Sequence, residues 1–245
     1  MQQKGSPAMS FQDLPLSEQR GLVNQAEELY QRYLHQLSDE DHRGPSLLPG
    51  WTRGHLVGHV AANAAGMTRL VNWGITGVEQ PMFASRDARN QEIEDLSTLP
   101  LADLIERHTQ AVEVLNQAWD QAAEIGDQAW DSRVKNAHGV EMPMRRTLWM
   151  RSREVWVHTM DLNNGAHFDQ IPEIMLRGIM AEVLKDWRAH NRGRDLVLIE
   201  DDTHAAFVVD EAETNVTEVH APDLAGVVRW ATGRAKGHPE PPQWR

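Results

Sequence analysis

Between Trp149 and Leu162 the chain places Trp149, Met150, Val155, Trp156, Val157 and Leu162 nearly all the way round a helix. A helix that is apolar on every side belongs inside a protein, so other elements must surround it. The same stretch carries Glu154 and His158, one helical turn apart and therefore on one face. A buried glutamate needs a charged partner or a metal ion. One segment thus asks for a packed bundle and for a polar centre inside it.

The rest of the first half supplies the neighbours. Leu22, Ala26, Leu29, Tyr33 and Leu37 recur at helical spacing and predict a helix over 17–38, with Ser17 as its N-cap. Thr52 is a good cap for a second helix running to about Trp73, before Gly74 and Gly77. Leu104, His108, Ala111, Leu115 and Ala118 mark a third over 101–123. Val134 and Val140 flank Asn136-Ala137-His138-Gly139, a short hairpin. The helix over 146–162 then ends at Asn163-Asn164-Gly165, a left-handed stop. Four helices with a long connection between the second and third predict a bundle.

After Pro172 the pattern changes. A helix to about His190, strand-like runs at 196–200, 205–210 and 215–219, and a last helix over 223–232 give an α-βββ-α order. The expected fold class is therefore α+β: an N-terminal helical bundle and a small C-terminal α/β domain. The divisions are a disordered tail at 1–10, the bundle at 11–168 and the small domain at 169–245.

Composition narrows the chemistry. Acidic residues outnumber basic ones, 36 to 24, for a formal charge of −12, and no basic stripe is present to follow phosphates. Nucleic acid is not an expected partner. No apolar run reaches the roughly 20 residues of a membrane span, and the start lacks a secretory pattern, so a cytoplasmic monomer is expected. There is no cysteine. Disulfides, cysteine-ligated zinc and a protein thiol nucleophile are excluded. A metal must be held by His, Asp and Glu, and a thiol must come from outside.

Two helical pairs have ligand spacing: His55 with His59 on the second helix, and Glu154 with His158 on the fourth. Facing bundle helices build core metal sites from such pairs. Three His/carboxylate ligands with one open position is the pattern of catalytic zinc. Spacing does not choose between His55 and His59. Of the remaining histidines, His35, His42, His138, His190, His204 and His238 are read as solvent-facing, and His108 as a hydrogen-bonded core residue. Asn63 and Asp161 lie one turn beyond His59 and His158 and are candidate outer partners of the ligands. Trp51 and Trp156 are candidate wall residues.

Three runs carry a resemblance. Gly50-Trp51-Thr52-Arg53-Gly54-His55-Leu56-Val57-Gly58-His59-Val60, Ser152 through Leu162, and Asp223 through Arg234 are similar, in order and spacing, to signatures of the mycothiol-dependent maleylpyruvate isomerase family, within the wider DinB-like metal-binding bundles. The resemblance runs from about Phe11 to Trp244. It implies a DinB-like four-helix bundle with the metal, zinc, on His59, Glu154 and His158, and mycothiol as thiol cofactor. It also implies a catalytic arginine at Arg234, contributed by the C-terminal domain; Arg229 is the reserve candidate. The implied reaction adds the activated sulfur to the conjugated double bond of maleylpyruvate, allows rotation, and expels the thiol to leave fumarylpyruvate, a step of gentisate-type aromatic breakdown. Two alternatives share the site: a mycothiol S-transferase that consumes the thiol, and a metal-binding regulatory module with no catalysis. His and Glu ligands also accept nickel, cobalt or iron.

Overall fold

The computed structural model describes residues 9–210, 216–235 and 239–244. The chain divides into two compact units, Leu16–Ala166 and, together, Met1–Pro15 with His167–Arg245. The class is α+β, a helical bundle plus a small β-containing unit.

In the first unit, α1 spans Leu16–Leu34 and buries Val23, Ala26, Tyr30 and Leu34, a stripe of three-to-four spacing. It begins one residue before Ser17, which lies in its first turn and does not cap it. A 3₁₀ turn at Asp41–Arg43 leads to α2, Arg53–Thr76. Thr52 caps α2 as expected, accepting from the His55 amide, and Gly77 closes it at φ +71°. The helix runs past the expected stop at Trp73. Gly74 stays helical because a Cβ there would lie 2.5 Å from the sulfur of Met144, so glycine serves packing and not termination.

The long connection between the second and third expected helices holds a further helix, α3, Arg86–Ser97, capped by Ser85. Its fully buried residue is Ile93 alone, so it has little apolar periodicity of its own. What seats it is Gly58 of α2: a Cβ there would approach the Leu96 Cβ to 2.9 Å. Next come α4, Leu101–Ile125, and the short α5, Asp127–Asp131. The antiparallel hairpin of β1, Arg133–Lys135, and β2, Glu141–Pro143, turns through Gly139 at φ +74°. Finally α6, Arg146–Asp161, runs back through the core and stops at Asn163 with φ +53°.

The long helices α1, α2, α4 and α6 pack about one core: α2 lies on α4 and α6, and α1 on α6. Arg53 pins the start of α2 to the end of α6, donating through Nε to the Leu162 carbonyl (2.5 Å) and through Nη2 to that of Asn163 (2.9 Å). Inside the bundle Arg151 of α6 is fully buried. It donates to Glu27 of α1 (2.7 Å) and to the Val60 carbonyl (2.7 Å) and Asn63 Oδ1 (3.0 Å) of α2. His108 of α4 completes the group: its Nε2 is 3.4 Å from Arg151 Nη2 and its Nδ1 pairs with Gln31 at 2.9 Å. His42 is buried as well, against the expectation of a solvent-facing ring. The 3₁₀ turn that carries it packs against α2.

The second unit contains α7, Glu173–Ala189, β3, Leu196–Glu200, β4, Ala205–Val208, β5, Thr217–Ala221, and α8, Leu224–Ala231. The sheet order is β4-β3-β5, with β3 antiparallel to β4 and parallel to β5. Asp223 caps α8 by accepting from the Gly226 amide at 2.7 Å. Trp187 of α7 and Trp230 of α8 meet edge to face at 6.3 Å in its core. The 3₁₀ turn at Phe11–Asp13 packs with α7, so this stretch, which sequence had joined to the bundle, goes with the C-terminal unit. β5 starts two residues later than the run at 215–219 predicts. Asn215, His238 and most of the tail at 1–10 lie outside the described residues.

Candidate metal centre

His59 of α2 and Glu154 and His158 of α6 each offer one donor atom, all within 4.8 Å of one another. Among the described residues no other group of His, Asp and Glu side chains has this property. Glu154 Oε1 sits between the rings, 2.6 Å from His59 Nε2 and 3.5 Å from His158 Nε2. The two imidazoles stand edge to face with centroids 5.0 Å apart. The helical repeat explains half of this: Glu154 and His158 are one turn apart on α6. The other half is the α2–α6 docking that Arg53 secures.

The spacing ambiguity on α2 is resolved by geometry. His55 turns back to its own helix start, where its Nδ1 takes the Thr52 hydroxyl at 2.6 Å and the Thr52 amide at 3.3 Å. Its Nε2 faces Glu94 of α3 at 3.3 Å. His55 is therefore a capping residue, and His59 faces the centre.

Electrostatics make these side chains a coupled set. Burial by itself would raise the Glu154 pKa, but His59 and His158 hold it well below the usual carboxylate range. Burial keeps His59 below its ordinary value, with Glu154 opposing, so its ring is neutral near pH 7. Burial also works against charge on His158, yet its hydrogen bonds to Asp161 and Glu154 prevail and push it up to about 9. Without a metal, the centre is thus an imidazolium–carboxylate pair beside a neutral imidazole.

Asp161 is fully buried and its Oδ2 lies 2.9 Å from His158 Nδ1, on the side away from Glu154. A carboxylate there fixes the ring and directs Nε2 inward, the usual arrangement behind a metal-ligating histidine. Asn63 is placed differently: it accepts from Arg151 in the core network. The group against His59 Nδ1 is instead Arg89 of α3, whose Nη2 is 3.1 Å away. Sequence reasoning missed Arg89 because it missed α3. The Ser85 cap was the available signal. Trp51 meets His59 edge-on at 5.4 Å and so walls the centre, while Trp156 is buried in the core.

Arg234 lies just after α8 in the C-terminal unit, with Nη1 2.7 Å from the Thr232 carbonyl and the guanidinium 6.0 Å from the Trp244 ring centroid. Arg229, on α8, is bound to it through the backbone: the Arg234 amide donates to the Arg229 carbonyl at 2.9 Å. Among the described residues no helix is long and apolar enough to cross a membrane.

The chain is 38% identical to a crystal structure of the mycothiol-dependent maleylpyruvate isomerase, with a TM-score of 0.90 over 96% of this chain and 100% of that one. A histidine-to-alanine variant of that enzyme matches with the same figures. No curated protein sequence matches the chain. The profile of the mycothiol maleylpyruvate isomerase N-terminal domain covers residues 23–163, the stretch that contains α2, α6 and the whole candidate centre. With more than half of its length inside that profile and a full-length structural relative at 38% identity, the chain belongs to the mycothiol-dependent maleylpyruvate isomerase family, a family of enzymes.

Proposed function

We propose that the protein is a mycothiol-dependent isomerase that converts maleylpyruvate to fumarylpyruvate, in gentisate-type aromatic breakdown, with a divalent metal, zinc by donor type, on His59, Glu154 and His158. The observation that carries this reading is the convergence of one carboxylate and two imidazole donors within 4.8 Å in a chain of this family. The donor set fits the ion: two nitrogens and one oxygen leave a fourth position open, and Asp161 is placed to hold the His158 tautomer. A metal bound there would stabilise a thiolate at neutral pH.

The chain's own residues do the rest. Trp51, edge-on against His59, would shield one side of the centre from water. Glu154 stays ionised, so it can serve as a ligand without first losing a proton. The proton on His158 must leave before its Nε2 can bind a cation, and Asp161 keeps the other ring nitrogen protonated meanwhile. The substrate is a dianion and the chain carries −12, so attraction has to come from local arginines. Arg234 is the residue we assign to a substrate carboxylate from the C-terminal unit. The partners are then small molecules only, the dianion and the thiol, and the compartment a reducing cytoplasm that keeps the thiol free.

The test is an ultraviolet assay of maleylpyruvate with zinc-loaded protein, with and without mycothiol, alongside His59→Ala. Thiol-dependent conversion that disappears in the variant, with the thiol recovered unchanged, is the expected result. Net consumption of thiol into a stable adduct would make the protein an S-transferase, and stoichiometric metal without any turnover would make it a binding module.

A further inference from the structure

The geometry points to Arg89 as the residue on the bundle side that binds a carboxylate of the substrate, released for that purpose when the centre takes up its metal. This inference rests on the isomerase reading. Arg89 is half-buried on α3, and its Nη2 faces His59 Nδ1 at 3.1 Å. A guanidinium is a donor only, so in this arrangement Nδ1 accepts and the ring proton is on Nε2, where it is donated to Glu154 Oε1 at 2.6 Å.

That pattern and metal ligation are mutually exclusive. Nε2 can bind a cation only with its lone pair, and a neutral ring then carries its proton on Nδ1, directly opposite the Arg89 donor. Two donors cannot share that contact, so Arg89 must turn away when the centre is filled. Its remaining polar contact among the described residues is Asn90 Oδ1 at a long 3.4 Å. Loading the centre therefore leaves a cation with unmet donors beside a ligand residue.

What surrounds Arg89 says what it is suited to hold. It lines a cavity of about 400 Å³ together with Arg69, Phe83, Ala88 and Glu92. Arg89 and Arg69 both lie 5.7 Å from the centroid of the Phe83 ring. Arg69 is turned onto the Met82 carbonyl through Nε (2.9 Å) and Nη2 (2.5 Å), so it supports the loop, and Arg89 is the cation left to face a ligand. A planar, donor-only fork next to an aromatic face matches a carboxylate conjugated to a flat chain. Glu79 and Glu92 on the same walls disfavour a second anion there, which limits this subsite to one carboxylate held directly by the guanidinium. The other end of a dicarboxylate must be bound elsewhere.

The experiment measures binding and not turnover. Maleate, an unreactive cis-dicarboxylate, is titrated calorimetrically into zinc-loaded wild-type protein, Arg89→Gln and Arg89→Lys, and zinc affinity is measured by chelator competition with no dicarboxylate present. A charged hydrogen-bond pair sets the expected loss of maleate affinity in Arg89→Gln at about 10- to 100-fold, with partial recovery in Arg89→Lys. Zinc affinity in Arg89→Gln should be equal or tighter, because a competing donor has been removed from His59. Unchanged maleate affinity, or a tenfold or greater fall in zinc affinity, would overturn the assignment of Arg89 and leave the isomerase reading standing. Absence of maleate binding to the loaded wild type would instead remove the dicarboxylate reading itself, and Arg89's role with it.

Discussion

The bundle contains two polar clusters a few residues apart along α2 and α6, the first drawing also on α1 and α4, and they are built to opposite ends. In the one around Arg151 the guanidinium donates to a carboxylate, an amide oxygen and a backbone carbonyl, and Arg151 has no exposure at all. In the one around Glu154 one carboxylate oxygen and two imidazole Nε2 atoms converge on a single point, with side chains 11–13% exposed, about as much as Glu27 at 11%. The first is held by the protein's own groups, with Glu27 Oε2 left without a hydrogen bond. The second is held by ring protons on Nε2 that a cation would have to displace. Closure against openness is what separates a structural ion pair from a binding centre, even when the residue types look alike.

The largest expected effect breaks the closed cluster. Arg151→Leu strands Glu27, whose Oε2 already lacks a hydrogen bond, and should cost about 3–5 kcal/mol by urea unfolding. His59→Ala in metal-free protein should cost only about 1–2 kcal/mol, because Glu154 keeps His158 as a partner. Equal losses at the two positions would show that the centre is as structural as the core network.

The next effect separates the clusters by pH. His158 is pushed up to about 9 in the folded chain from an ordinary 6.5, so its contribution is fully present below pH 6.5 and is lost as pH rises through 9. Metal-free protein should lose on the order of 2 kcal/mol over that range, and His158→Gln should flatten the slope. Glu154 acts at the other end: its pKa is lowered, so its contribution is lost as pH falls below its ordinary 4.5. His108 in the closed cluster is held well below 6.5 by burial and then by Arg151, stays neutral, and adds no slope in the alkaline window. Urea melts at intervals from about pH 3 to about pH 9.5 would read both ends. A slope that survives in His158→Gln would place the titrating group elsewhere.

The smallest effect sharpens the contrast on α2 itself. His55→Ala removes a cap contact and an exposed pairing with Glu94, and should lower stability by about 0.5–1 kcal/mol while leaving metal stoichiometry untouched. Loss of metal in that variant would reopen the choice between the two histidines.

These differences also mark what a sequence can disclose. The Glu154–His158 pair was readable because both residues stand one turn apart on a helix with an unmistakable apolar surround. The three strand-like runs, the Thr52 cap and the start of the last helix at Asp223 were readable from local chemistry. The closed cluster was not, because Arg151 and Glu27 are 124 residues apart and no local pattern ties them. α3 was lost because its inner face is Ile93 and little more, and the information that seats it is an absent side chain at Gly58. With α3 went Arg89. His42 was misread for a related reason: its burial comes from the packing of its turn against α2, which no local pattern shows.

The helices that furnish the ligands meet across 88 to 109 residues of chain, as the Arg151–Asn63 and Arg53–Leu162 contacts measure it. An ion held from both sides would act as a cross-link, restricting the unfolded chain in the way a bridge between distant cysteines does. A loop of that length corresponds to about 4–5 kcal/mol in the chain-entropy account of disulfides. In a protein without a single cysteine, the cofactor would then double as a removable staple, one that a chelator can open and that needs no oxidising compartment to close.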